Sequence, residues 1–327
     1  MSPLTRLDSY QGTELEWEHL LSDSDTDTLF ITHHWQQIWW EQFGDGAEML
    51  LLGFKDNTRL EGIAPLLRRN GTISLIGGPD LCDYNDFPVL RGAEPRFYPS
   101  LLEHLKAEAW ETLEFSSLRQ SSPTLQYVPE LARQHGYLVQ VLEEGVSPGV
   151  PLPSTWDMYL KGLSKKDRHE IRRKMRRIDS AGDDFRWYKF SEPEDVACNM
   201  EDFISLMKFG REDKRRFLTM PREKFFRKIS IKMASVRVFR LFFLEFKGER
   251  VAAAMCFDYG RSRLLYNSGF NPGFGYYSVG LILKALCIKD AIEEGKSYFD
   301  FLRGAEPYKY DLGGTDRTLY QLVVTRN

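Results

Sequence analysis

One stretch limits what this chain can fold into more than any other. From Leu264 to Lys309 it reads LLYNSGFNPGFGYYSVGLILKALCIKDAIEEGKSYFDFLRGAEPYK. Leu264 to Phe270 carries the apolar and aromatic residues that suit a pleated surface. Asn271, Pro272, Gly273 and Gly275 break it, because proline lacks a donor and glycine permits positive φ. Ser278 then stands as N-cap of a helix that Gly295 ends. Ser297 to Leu302 returns as a short aromatic strand. Strand, helix and strand joined this tightly imply a right-handed parallel crossover.

The helix is apolar on most of its surface, from Val279 through Leu281, Ile282, Leu283 and Leu286 to Ile292. A helix apolar nearly all round is buried on both sides. Its start lies in a loop of small residues, where free backbone N–H groups and the positive end of the dipole coincide. A phosphate or pyrophosphate fits over Ser278, Val279 and Gly280. The plainer alternative is that these glycines only turn the chain. A dinucleotide fingerprint at Gly273–Ser278 fails, because its third glycine is a serine and no further βαβ units follow.

The run Tyr277-Ser278-Val279-Gly280, followed by Asp300-Phe301-Leu302-Arg303-Gly304 and by Glu306, Pro307, Tyr308 and Lys309, resembles the C-terminal half of the CelD-like branch of the GNAT acyltransferases. Members of that branch start this helix with YSPG, so Val279 replaces a proline and gains a backbone N–H. Phe30 to Gly44 (FITHHWQQIWWEQFG) is similar to the entrance helix of the same branch. The branch is related to the Fem-type aminoacyl transferases, which carry two GNAT-like domains in tandem. The resemblance implies a mixed α/β (α+β) fold of tandem GNAT-like domains. Each would hold a mostly antiparallel mixed sheet with one βαβ crossover, flanked by helices.

A length of 327 residues suits two cores. The apolar fraction of 42% marks a globular chain, and a formal net charge of -3 excludes a general polycation. Cys82, Cys198, Cys256 and Cys287 form no CxxC pair, which argues for a reducing compartment and against a zinc site. His33 and His34 are adjacent on a helix, point to different faces and lack a carboxylate at helical spacing, so no metal is expected. No apolar signal core and no membrane-length apolar run occurs, so the expected location is the cytoplasm.

Before Ser147 the chain reads as strands (Met49 to Phe54 and Arg59 to Leu67 around an Asp56-Asn57 turn, then Thr72 to Ile76), a helix from Tyr98 to Trp110, and a strand from Leu113 to Leu118. This order repeats that seen around Leu264, so residues 1–146 are expected to be a degenerate first copy. Arg91-Gly92-Ala93-Glu94-Pro95 replaces the glycine cluster there, and no nucleotide cofactor is expected. Ser147 to Ser154 (SPGVPLPS) reads as a linker, and 155–327 as the working domain. Ser164 and Asp167 form a capping-box-like start for a helix from Lys165 to Asp179. Ile171, Met175 and Ile178 line one stripe of that helix, and the rest is basic, including Arg172, Arg173, Arg176 and Arg177. A second basic cluster, with Arg211, Lys214 and Arg222, completes a segment from 164 to 230. Such runs often mark only a solvated face. In a net acidic chain, two beside one domain suggest an anionic partner.

The resemblance implies acyl transfer from acyl-CoA, acetyl-CoA above all, with no metal. Pantetheine would run along Tyr266, Asn267, Ser268, Gly269 and Phe270, and the pyrophosphate would sit at Ser278, Val279 and Gly280. Tyr308 would protonate the leaving thiolate, and Asp300 or Glu306 would act as base. An alternative is that Asp300 and Arg303 form only a structural ion pair. Arg303, Lys309, Arg172, Arg173 and Arg176 are the expected contacts for the acceptor, an amine or hydroxyl of a nucleotide-linked or lipid-linked sugar. Two other readings stay open: a Fem-type enzyme that uses aminoacyl-tRNA, and a non-catalytic scaffold of the same fold.

Overall fold

The computed structural model describes residues 4–56, 59–209 and 212–326. The expected turn residue Asn57 and the basic-cluster residue Arg211 lie outside these described residues. The architecture is mixed α/β, with two mixed sheets, each flanked by helices. The chain divides into two compact units. One runs to Val146 and resumes at Arg317, and the other is Ser147–Asp316.

In chain order the first unit contains β1 (Leu4–Arg6), α1 (Glu14–Ser22), α2 (His33–Phe43), β2 (Glu48–Asp56), β3 (Arg59–Arg69), β4 (Thr72–Leu75), α3 (Glu94–Ala107), β5 (Thr112–Arg119), α4 (Pro123–Gln134) and β6 (Leu138–Val146). β2, β3 and β4 form an antiparallel meander, and β5 lies parallel to β4 after the crossover through α3. α3 starts four residues earlier than the apolar pattern suggests, because Pro95 belongs to its first turn.

The second unit contains β7 (Gly149–Pro151), α5 (Trp156–Gly162), α6 (Lys165–Asp179), β8 (Phe185–Phe190), α7 (Pro193–Lys208), α8 (Glu212–Phe217), α9 (Met220–Ser235), β9 (Phe239–Phe246), β10 (Glu249–Tyr259), β11 (Ser262–Phe270), α10 (Val279–Glu293), β12 (Tyr298–Asp300) and α11 (Pro307–Asp311). Its sheet runs β7-β12-β11-β10-β9-β8, with the single parallel pair at β11 and β12. α10 and α7 both pack on β10, whose Ala252, Ala253 and Ala254 are fully buried. Small side chains there let both helices approach the strand closely. At the far end of α10, fully buried Arg263 is held by Asp258 (2.7 Å), Asp290 (2.5 Å) and Glu294 (2.7 Å).

Two boundaries differ from the sequence reading. Ser147 to Ser154 is no free linker, since β7 pairs with β12 and Pro148 O accepts from Phe301 N at 2.9 Å. The last strand, β13 (Thr318–Thr325), belongs to the first unit, where it lies between β5 and β6. Proline richness suggests a linker, but a proline at a strand edge satisfies the same signal. Strand pairing across the chain termini leaves no local trace in sequence.

Candidate active site

β12 accompanies β11 only from Ser262 to Leu264, so β11 continues to Phe270 past the last paired residue. On the other edge, Met255 faces Asn267 and Cys256 faces Leu265, which leaves Tyr266 as an extra residue. This bulge turns Tyr266 and Asn267 to the same side. Tyr266 packs edge-on against Phe226 of α9 at 5.6 Å and Phe257 at 5.5 Å. The Asn267 side-chain oxygen accepts from Lys214 Nζ of α8 and from Ser268 N at 3.0 Å. Phe270 points the other way, into the core around α10. At Gly269 the strand touches the end of α7: a Cβ there would lie 2.3 Å from Met207 N. Only glycine permits that approach.

Beyond β11 the turn Pro272–Tyr277 is fixed by Asn271, whose side-chain oxygen accepts from Gly273 N at 2.9 Å. Ser278 occupies the N-cap position of α10, but at φ 55° and with no hydroxyl-to-backbone capping bond. The first turn holds no carboxylate either. The first intrahelical bonds run from Leu281 and Ile282 to Ser278 O, both at 3.0 Å, so the N–H groups of Val279 and Gly280 precede them. Gly280 is constrained as well, because a Cβ would meet the Phe270 ring at 2.7 Å. α6 secures the turn from outside: Arg177 donates to Tyr276 O and lies 4.1 Å over the Tyr276 ring.

After β12 the loop 301–306 bends tightly, with Leu302 at φ 60° and Gly304 at φ 112°. Buried Asp300 accepts from Leu302 N at 2.9 Å and from Ser147 Oγ at 3.3 Å. Lys309 is 1% exposed. Its ammonium donates to the carbonyls of Leu302 (2.9 Å), Arg303 (2.7 Å) and Gly304 (3.0 Å), and pairs with Glu306 at 2.9 Å. These contacts fix Glu306 and Tyr308 at the mouth of a cavity.

That cavity has a volume of about 510 Å³. Ser268, Gly269 and Phe270 form one wall, Ser278 to Leu281 form the next, and Glu306, Pro307 and Tyr308 form the third. Lys174 of α6, Lys214 of α8 and Lys284 of α10 also line it, against the single carboxylate of Glu306. Three ammonium groups and an uncapped helix start give this cavity a positive character. Lys284 is 5% exposed; it donates to Gly280 O at 3.1 Å and lies 4.4 Å over the Tyr308 ring. Among the described residues, no group of three or more His, Cys, Asp or Glu is placed to hold a metal ion. His33 instead bonds Tyr10 O at 2.7 Å through Nε2.

Residues 165–310 match the family model described as Acetyltransferase (GNAT) domain. This segment is a GNAT acetyltransferase domain. The match supports acyltransferase chemistry in this segment. No curated protein matches the chain. Among solved structures, FemX superposes with a TM-score of 0.65 at 12% identity, covering 94% of this chain and 95% of that one. L-PGS from Bacillus licheniformis gives 0.61 at 12% identity, with 98% and 94% covered. A tandem GNAT protein from the clavulanic acid biosynthesis pathway gives 0.54 at 11% identity, with 99% and 98% covered. At such identities these likenesses speak for the fold.

Within the GNAT domain, eight of the expected residues line one cavity: Ser268, Gly269, Phe270, Ser278, Val279, Gly280, Glu306 and Tyr308. Others are placed elsewhere. Tyr266 packs between α9 and the sheet, and Asn267 holds Lys214. Asp300 is buried as a brace of the 301–304 turn, which leaves Glu306 as the carboxylate at the cavity. Lys309 ties that loop through three carbonyls and Glu306, and it is not among the lining residues. Arg303 is not among the lining residues. Arg173 chelates Glu170 at 2.6 and 3.0 Å, and this hydrogen bonding lowers the Glu170 carboxyl to about 2. Arg172 and Arg176 line a different groove, on another face of α6.

The sequence reading missed Lys284, Lys174 and Lys214 as cavity residues. A signal existed for Lys284: it is a single lysine one turn after Gly280, in a helix otherwise apolar on that stretch. Lys174 was hidden among equivalent-looking cations, and only the face it takes distinguishes it.

Proposed function

We propose that the second unit transfers an acyl group, most simply acetyl, from acyl-CoA to an amine or hydroxyl of an anionic acceptor such as a nucleotide-linked or lipid-linked sugar. One observation carries this reading: the end of β11, the uncapped start of α10 and the Tyr308 loop share one lysine-lined cavity. Val279 and Gly280 would bind the donor pyrophosphate through their N–H groups. Lys174 and Lys214 would neutralise phosphate charge at the rim. Pantetheine would follow β11 beyond Leu264, where β12 has ended.

The acceptor nitrogen or oxygen attacks the thioester carbon, and the new bond forms as the carbonyl becomes an oxyanion. Glu306, or a water it holds, takes the acceptor's proton. As the C–S bond breaks, the thiolate takes a proton from the Tyr308 phenol, which solvent then restores. Lys284 lies over the Tyr308 ring and would hold it in place for that step. Asp300 and Lys309 act only through the loop, as positioning residues.

We further propose that the first unit is a non-catalytic copy. At the start of α3 the Glu94 carboxylate already accepts from Gly92 N at 2.7 Å, so the place of an incoming phosphate is filled from within. Among the described residues no helix is long and apolar enough to cross a membrane. A cytoplasmic acyl-CoA pool fits the proposed donor.

A thermal-shift panel of CoA, acetyl-CoA, a long-chain acyl-CoA and aminoacyl-tRNA tests the reading. A donor at a hundred times its Kd should stabilise the protein by about 2.7 kcal/mol. A shift with aminoacyl-tRNA and none with any CoA would transfer the cavity to the Fem-type reading. A shift with neither would favour the scaffold.

A further inference from the structure

α6 divides its cations between two faces. Lys174 and Arg177 face the donor cavity and its turn. Lys165, Arg168, His169, Arg172 and Arg176 line a separate open groove between α5 and α6, with a volume of about 650 Å³. The floor of that groove is apolar: Trp156 and Leu160 come from α5, and Met175 from α6. Lys165, Arg172 and Arg176 are exposed, and none has an ion-pair partner among the described residues. The two carboxylates nearest in sequence are engaged elsewhere, Glu170 with Arg173 and Lys174, and Asp167 with Ser164 Oγ at 2.5 Å. Asp179 is the single acidic residue on the lining, at the C-terminal end.

We propose that this groove docks an acidic amphipathic helix of a partner protein. Lys165, Arg168, Arg172 and Arg176 recur about once per helical turn, over about 16 Å. A second helix with carboxylates at the same period meets that row in register. The trough between two helices over an apolar floor is the shape that receives a helix, with apolar anchors at i, i+3/i+4 and i+7. An acidic polysaccharide would use the charges and make no use of the apolar floor. A single-stranded nucleic acid would want free aromatic faces for stacking. Here Trp156 is already stacked on Tyr159, with centroids 5.0 Å apart, and the rest of the floor is aliphatic. Charge complementarity would set the on-rate, and the apolar floor would set the residence time.

The test uses the full chain and a fluorescein-labelled helical peptide of about five turns, with Glu once per turn beside a Leu stripe. A scrambled peptide of equal composition and a single-stranded oligouridylate of equal charge serve as comparisons. The patterned peptide is expected to bind at least about tenfold more tightly than either, with salt-dependent affinity. Arg172→Gln/Arg176→Gln should weaken it by about tenfold or more while CoA affinity stays unchanged, since neither residue lines the donor cavity. Trp156→Ala should speed dissociation. Equal binding of the scrambled peptide, tighter binding of oligouridylate, or full peptide affinity in the double variant would each overturn the proposal. CoA binding in each variant reports that the domain is folded, so loss of the groove is separable from loss of the fold.

Discussion

Lys309→Met separates a loop tie from a substrate contact. The substitution keeps the length and apolar stem of the side chain and removes only the ammonium. In the folded protein that group donates to three carbonyls and pairs with Glu306. A buried acceptor deprived of its donor costs about 1–3 kcal/mol. Only the bond to Leu302 O is fully buried; those to Arg303 O and Gly304 O are part-buried and can recover water. Burial of the methionine tip offsets a little, so the net loss should be about 2 kcal/mol. For a unit of this size each kcal/mol lowers the melting temperature by about 2–4 °C, which gives a drop of about 4–8 °C. Differential scanning calorimetry of the full chain measures it. Turnover should fall too, because Glu306 and Tyr308 depend on the same loop, whereas the donor Kd should change little. Lys309→Arg should not restore stability, since the larger planar group does not fit a site built around a point charge. An unchanged melting temperature with a raised acceptor KM would refute the tie and return Lys309 to acceptor binding.

Tyr308→Phe should keep donor affinity, because the ring still packs under Lys284, and should lower turnover on the order of a hundredfold; a fully active variant would end its role as acid. Lys174→Gln/Lys214→Gln should raise the CoA Kd about tenfold or more and flatten its salt dependence, measured by calorimetric titration at two ionic strengths; unchanged affinity would place the phosphates elsewhere. At Glu294, partial burial raises the carboxyl pKa, but a Lys189 hydrogen bond and the charges of Arg263, Lys189 and Arg240 outweigh it and bring the value to about 2 from 4.5. A depressed carboxyl stabilises above its unfolded pKa and loses that contribution as pH falls, so stability should decline between about pH 4.5 and 2; Glu294→Gln should flatten that decline in acid denaturation followed by circular dichroism.

The parts of the fold legible in sequence are those whose cause is local. The helix Val279–Glu293 is apolar all round because α10 is buried on nearly every side, and Asn271 and Pro272 before it mark the turn, although Gly273 and Gly275 there take no positive φ. The capping pair Ser164 and Asp167 marks the start of α6, where Ser164 Oγ accepts from Asp167 N at 3.1 Å. Ser278 shows the limit of such signals. A serine before an apolar run is a sound N-cap by type, yet here it takes a left-handed φ and makes no capping bond, which leaves the helix start open. The opening is what makes an anion site possible, and the residue type alone argues for the opposite.

What stayed illegible depends on three-dimensional neighbours. The bulge at Tyr266 shifts which residues of β11 face α10, so five consecutive residues expected to follow one ligand divide between three environments. The row from Arg172 to Arg177 reads as one basic face, but a helix distributes consecutive residues around its axis at about 100° each. Packing of Ile171 and Ile178 against the core then decides which cations see the donor cavity and which see the α5–α6 groove. Lys309 is the sharpest case. Next to Tyr308, in a motif rich in charge, a lysine suggests a contact with substrate. Its burial and its three carbonyl acceptors give the same residue the task of shaping the loop that carries Tyr308. A charge near a reactive group therefore has two explanations in sequence, and the acceptors of its protons choose between them.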